Sequence, residues 1–184
     1  MTKLSVALSS LLLCLVAAVP AWAGYADDRA EIENVSARYM IAVDAGDIET
    51  VMSTWADDGV LEWIGGVENG KDAIRKAMSH FGGSAIRGKV PADATTRQRT
   101  QHHIVNHVID VNGNTAKTIA YWFAITNNTP QKDVQLLYFG HYEDELVKKN
   151  GHWLFKRRKV FNESQPNRAL FYPGIGEVDP RAPK

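Results

Sequence analysis

Residues 100–127 read TQHHIVNHVIDVNGNTAKTIAYWFAITN. Val, Ile, Thr, Tyr, Phe and Trp fill both halves, and between them stands Asn112-Gly113, a dipeptide suited to the positive-φ positions of a tight hairpin turn. The stretch predicts two antiparallel strands, 100–111 and 115–127. Two further strand-like runs, 134–147 and 152–161, follow, the second pair hinged on Asn150-Gly151. Upstream the period changes. Ile32, Val35, Tyr39, Met40 and Val43 recur at spacings of three and four, marking a helix that opens at Asp27-Asp28 and stops at Asp44-Ala45-Gly46. Asp47 is the expected N-cap of a second helix, with Ile48, Val51, Met52 and Trp55 inward, ending near Asp57-Asp58-Gly59. A short strand over 60–63, turn signals at Gly65-Gly66 and Asn69-Gly70, and a third helix over 72–81 with Ile74, Met78 and Phe81 inward complete this half. Residues 82–98 have no period and read as a long loop. Three helices followed by a four- or five-stranded antiparallel sheet predict an α+β fold, with a curved sheet wrapped around a helix and a pocket between them.

Composition limits what such a domain does. The chain has 184 residues, 45% hydrophobic and 23% charged, which describes one globular domain. Its 21 basic side chains are matched by 21 acidic ones, so no cationic excess exists to neutralise nucleic-acid phosphates. Lys3, an apolar run from Leu4 to Val19 and then Ala21-Trp22-Ala23 have the layout of a secretory signal peptide over residues 1–23. The run of about 16 residues is short of the ~20 that cross a bilayer, and Pro20 ends it. A cleaved, secreted or periplasmic protein without a membrane span is the expectation. The domain proper is then 24–162, with an extended tail over 163–184. Cys14, the only cysteine, falls in the leader, so disulfides and thiol chemistry are not expected of the domain.

Three sets of residues are candidates for chemistry. Asp44 sits at the C-terminal end of the first helix, where the helix dipole disfavours a carboxylate by about 0.3–1 kcal/mol. Either a specific partner compensates it or it is a solvated turn residue. His102-His103 projects one imidazole to each face of its strand, so one faces inward, either as a functional group or as a satisfied core histidine. Arg158, on the last strand, is by itself a surface charge or a site residue. A metal centre has little support, because His103 and His107, four apart on a strand, are separated by about 13 Å at ~3.3 Å per residue. His141 is the natural extra ligand if one is assembled across strands. Phosphate-binding glycine loops and a G-x-S-x-G nucleophile elbow are absent.

Several of these residues also carry a likeness to a known family. Met40-Ile41-Ala42-Val43-Asp44, Ser53-Thr54-Trp55-Ala56-Asp57-Asp58, His102 four residues before Asn106, and Gly151-His152-Trp153-Leu154-Phe155 with Arg158 five after Trp153 resemble the SnoaL-like branch of the nuclear transport factor 2-like superfamily. Within it the dehydratases and dehydrochlorinases are most similar, such as bile acid 7α-dehydratase, gamma-hexachlorocyclohexane dehydrochlorinase and, more distantly, scytalone dehydratase. The resemblance implies a cone-shaped α+β fold of three N-terminal helices on a curved, mostly antiparallel sheet, assembled as a homodimer or homotrimer around no cofactor. It implies an Asp–His dyad at Asp44 and His102, a tyrosine at Tyr39 where the dehydrochlorinase has a lysine, and a pocket arginine at Arg158.

The chemistry of such a set is simple. A neutral imidazole serves as a general base near neutral pH, and a carboxylate on its other nitrogen fixes the tautomer and stabilises the imidazolium. Tyr39 would hydrogen-bond a substrate oxygen, Arg158 would offset developing negative charge, and Trp63 and Tyr138 would form apolar walls. The expectation is an exported, cofactor-independent lyase acting on a small apolar or polycyclic molecule. An isomerase or cyclase would use the same parts, and the same fold also serves as a non-catalytic ligand-binding or protein-interaction module.

Overall fold

The computed structural model describes residues 21–80 and 100–164, with side chains from Gly24. The expected signal peptide up to Pro20, Phe81, the 82–98 loop and the tail from 165 lie outside the described residues. Helix α1 (Ala21–Ala45) begins ahead of Asp27, with Gly24 the one weak helix former before it, and runs across the expected cleavage position. Its five predicted apolar positions, Ile32, Val35, Tyr39, Met40 and Val43, are all buried.

The end of α1 is closed by a six-to-one and five-to-two pair of bonds. Asp47 N–H donates to the Ala42 carbonyl (2.9 Å) and Gly46 N–H to that of Val43 (3.0 Å), with Gly46 at φ +66°. Asp47 then caps α2 (Ile48–Ser53), its carboxylate accepting from Thr50 N–H at 3.1 Å. Here the sequence expectation needs correction. α2 stops at Ser53 rather than near Asp57, and Trp55 already belongs to β1 (Trp55–Trp63). Tertiary pairing decides this: Phe155 N–H donates to the Thr54 carbonyl (2.8 Å), and Trp55 packs on Phe155 at 5.5 Å between ring centroids. A second addition is β2 (Gly66–Asn69), which turns the segment between two predicted turns into a short hairpin arm. Helix α3 (Lys71–His80) buries Ile74 and Met78 as expected.

The remaining strands are β3 (Thr100–Asn112), β4 (Thr115–Thr126), β5 (Gln135–Lys149) and β6 (His152–Asn162). All six form one sheet in the order β2-β1-β6-β5-β4-β3, antiparallel throughout except for the parallel β1–β6 pair. The sheet curves around α1, which packs on β3 and β6, so the fold is an α+β cone with the helices on its concave face. No described helix is long and apolar enough to cross a membrane.

Bulges on β3 and β6 help to set which side chains face the helices. On β3, Asn106 and His107 stand against one residue of β4, with Asn106 at φ +53°, a conformation asparagine tolerates better than most residues. On β6, Phe155 pairs with Leu146 but Arg157 pairs with Glu145, so Lys156 is the extra residue. Trp153 and Phe155 face the core on one parity, and past Lys156 the parity flips and brings Arg158 inward.

Candidate active site

Asp44 lies in the last turn of α1, where the helix dipole disfavours a carboxylate. Two donors compensate it. His102 N–H donates to Asp44 Oδ2 at 2.8 Å, and His102 Nδ1 lies 2.6 Å from Asp44 Oδ1. The two side chains are 16% and 11% exposed, so the pair is mostly removed from water while His102 keeps access to a cavity. With Nδ1–H directed at the carboxylate, Nε2 is the lone-pair nitrogen, the tautomer a general base requires. Strand parity sets the orientation: His102 is opposite Ala124, which is fully buried, whereas His103 is opposite Phe123 and stacks on its ring at 4.9 Å on the other face.

The cavity has a volume of about 190 Å³. Tyr39, Met40 and Val43 of α1 and Met78 of α3 form one side. Leu61, Trp63 and Ile64 close a second, and His102, Trp122, Tyr138, Tyr142, Val160 and Asn162 come from the concave face of the sheet. The structure therefore brings Tyr39, His102, Trp63 and Tyr138 together around one space, with Asp44 directly behind His102.

Arg158 is placed differently. It does not line the cavity and it is not a surface charge, being 1% exposed. Its Nε and Nη2 donate to the two Asp144 oxygens at 2.8 and 2.7 Å. Its guanidinium carbon lies 4.5 Å from the Tyr39 ring centroid, 4.4 Å from that of Tyr142 and 4.0 Å from that of Phe155. Burial works against its charge, but the Asp144 carboxylate and its hydrogen bonds more than offset this and hold the guanidinium well above its usual range. Arg158 thus touches the cavity only through the rings of Tyr39 and Tyr142. Burial pushes both phenols up from their ordinary value against the opposing pull of Arg158, so they remain protonated donors.

Sequence reasoning did not single out Tyr142, Trp122 or Asn162, and read Met40 and Met78 only as buried helix positions. Aromatic and apolar residues on strands are usually core, and only the register across β4 and β5 puts Trp122 and Tyr142 in ring contact at 5.6 Å beside His102. A second imidazole–carboxylate pair also went unforeseen: His141 Nδ1 lies 2.6 Å from Glu163 Oε1 and its ring stacks on Phe161 at 4.2 Å. It does not line the cavity. His107 is turned into the fold, where burial lowers its pKa, and among the described residues no three His, Cys, Asp or Glu side chains are gathered to hold a metal ion.

The model of the SnoaL-like domain family matches residues 24–159. No curated protein matches the chain. Among solved structures, a cystatin-like-fold protein of unknown function from Nostoc punctiforme is 23% identical with a TM-score of 0.64, over 77% of this chain and 96% of that one. A scytalone dehydratase candidate from Novosphingobium aromaticivorans is 23% identical with a TM-score of 0.62, over 77% and 87%. ActVI-ORFA from Streptomyces coelicolor is 16% identical with a TM-score of 0.61, over 74% and 98%. At these identities the likeness shows a shared fold.

Proposed function

This chain belongs to the SnoaL-like domain family, and from that premise we propose that its cavity is the active site of a cofactor-independent lyase of the dehydratase type. The observation that carries the reading is the 2.6 Å Asp44–His102 contact at the wall of an apolar cavity that Tyr39 also lines. In the proposed reaction His102 Nε2 removes a proton from carbon adjacent to a carbonyl. The C–H electron pair becomes the carbon–carbon double bond of an enolate. When the carbonyl re-forms, that pair shifts toward the β-carbon, hydroxide departs, and the proton on the imidazolium goes to it, releasing one water. Asp44 orients the ring and stabilises its charged form, and Tyr39 donates to a substrate oxygen.

Isomerisation or ring closure would share the first half of this sequence and differ only in what the enolate meets next. The sequence resemblance to bile acid dehydratase at Tyr39, Asp44 and His102, and to the dehydrochlorinase at Asp44 and His102, supports elimination over the other two. Export through the 1–23 leader and assembly as a homodimer or homotrimer complete the proposal.

The test uses 3-hydroxy-1-indanone, which loses water to give the coloured 1-indenone. Purified protein is expected to accelerate this loss, and His102→Gln and Asp44→Asn to slow it by about 10²–10⁴ with unchanged circular dichroism, the range typical of general acid–base catalysis. Wild-type rates in both variants would remove the reading.

A further inference from the structure

The His102 cavity has a neighbour. A second space of about 120 Å³ lies among the three helices, walled by Ala42 of α1, Gly46 of the turn after it, and Ile48 and Val51 of α2. Two more of its walls, Val43 and Met78, also line the His102 cavity. These two side chains are therefore the partition between the spaces, and both are buried. Ser79 of α3, which is exposed, forms the rim. The chamber offers little but hydrocarbon: the Gly46 N–H is bonded to the Val43 carbonyl at 3.0 Å, and the Ser79 hydroxyl donates to the Arg75 carbonyl at 2.7 Å.

The partition is half rigid and half yielding. Val43 is β-branched, and within a helix such a side chain has one strongly preferred rotamer. Met78 is unbranched, with three rotatable bonds, and adapts to what it meets. Little ties it in place: its sulfur accepts from Tyr39 Oη at 3.9 Å, and a thioether is a weak acceptor. When Met78 swings aside, the opening it leaves is as wide as the side chain that filled it. What passes is then itself an unbranched chain.

We propose that Met78 is a gate between the cavity and this chamber, and that the substrate carries an unbranched alkyl arm of about four carbons that passes Met78 and lodges among the three helices. This deepens the lyase reading and rests on it: the reacting head stays beside His102, and the arm occupies the chamber. The length of the arm follows from the space, since about 120 Å³ is some four times the ~30 Å³ that one water occupies in the liquid. The cavity alone, at about 190 Å³, falls below the ~300–1,000 Å³ of pockets that hold drug-sized ligands, and the two spaces together reach the lower end of that range. Each buried methylene adds affinity without a polar contact, so the arm selects the substrate while the chemistry stays at the head. Met78 and Val43 are then the residues that set which arm is accepted, by its width.

The experiment titrates the alkyl phenyl ketones from acetophenone to heptanophenone, and the branched pivalophenone, read by fluorescence of Trp63 and Trp122 in the cavity wall. Affinity for wild type is expected to climb about fourfold per methylene up to valerophenone and then to level off. Valerophenone should bind about tenfold or more tightly than pivalophenone, its isomer with the same number of carbons, because the branched arm does not pass the gate. Ser79→Trp and Ile48→Trp fill the chamber from two sides. Each should lower valerophenone affinity about tenfold while acetophenone, whose arm ends short of the gate, binds as in wild type. Met78→Ala widens the passage and should bring pivalophenone up toward valerophenone. Equal affinity of the two isomers for wild type, or wild-type valerophenone affinity in both tryptophan variants with unchanged circular dichroism, would overturn the chamber. None of these readouts needs turnover. Arm-dependent binding without any elimination therefore overturns the assigned base and leaves the chamber standing, whereas elimination indifferent to arm length and to both tryptophans does the reverse.

Discussion

Replacing Asp144 with leucine should cost a large share of the stability the protein has, whereas replacing Asp144 and Arg158 together should cost little. The two side chains are each 1% exposed and joined by hydrogen bonds of 2.8 and 2.7 Å. Removing the carboxylate leaves a guanidinium in the core with no counter-charge. Removing the guanidinium leaves a buried carboxylate whose other partner is Thr118 Oγ1 at 3.4 Å. Breaking a buried pair from either side typically costs about 3–5 kcal/mol, while exchanging both ends for apolar groups of similar volume is often neutral or better. Against a total of about 5–15 kcal/mol, Asp144→Leu or Arg158→Met alone should lower the melting temperature by roughly 10–15 °C. The double variant should return to within about 2 kcal/mol of wild type, less the ring contacts Arg158 makes with Tyr39, Tyr142 and Phe155. Equilibrium urea unfolding of the four proteins, with equal slopes, gives the coupling energy directly. A single variant that loses under about 1 kcal/mol, or a double variant whose loss is the sum of the singles, would refute the claim that this pair is sealed from water and mutually dependent.

Two further outcomes follow from the same packing. Gly140 sits under the Phe161 carbonyl, where an added Cβ would come within 1.8 Å of the oxygen; Gly140→Ala should cost about 3 kcal/mol or more in urea unfolding, and a loss under 1 would contradict the close approach. Because burial raises the Tyr39 and Tyr142 phenols above their ordinary value of 10, the unfolded chain gives up these protons at lower pH than the folded one. Stability from them is complete below pH ~10 and lost as pH rises past it, so melting temperature should fall steeply through that range and less steeply in Tyr142→Phe, whereas equal slopes would contradict the burial.

Much of the framework was legible because it rests on short-range signals. The five apolar positions of α1, the Asp47 cap, and the hairpins at Asn112-Gly113 and Asn150-Gly151 each follow from local spacing or turn chemistry. At the site the residues alone went half-way, since a carboxylate at a helix C-terminus either finds a donor or stays solvated and either of two adjacent strand imidazoles can face inward; the choice of Asp44 with His102 rests on the family resemblance. What was not legible depends on register. Trp55 belongs to a strand only because β6 arrives to pair with it. Arg158 turns inward only because Lys156 bulges, and no pattern in the sequence marks that bulge. Tyr142 looks like any core aromatic until β5 is laid beside β4 and its hydroxyl is found opposite a methionine rather than a good acceptor.

The most direct test of the central claim follows a single proton. In heavy water, 1-indanone exchanges the hydrogens beside its carbonyl for deuterium only when something removes them, and proton NMR reads the loss without any leaving group being required. Wild-type protein should speed this exchange well above the buffer rate, and Asp44→Asn and His102→Gln should each return it toward that rate by about 10²–10⁴. Exchange at the wild-type rate in a folded His102→Gln protein would contradict the account at its base.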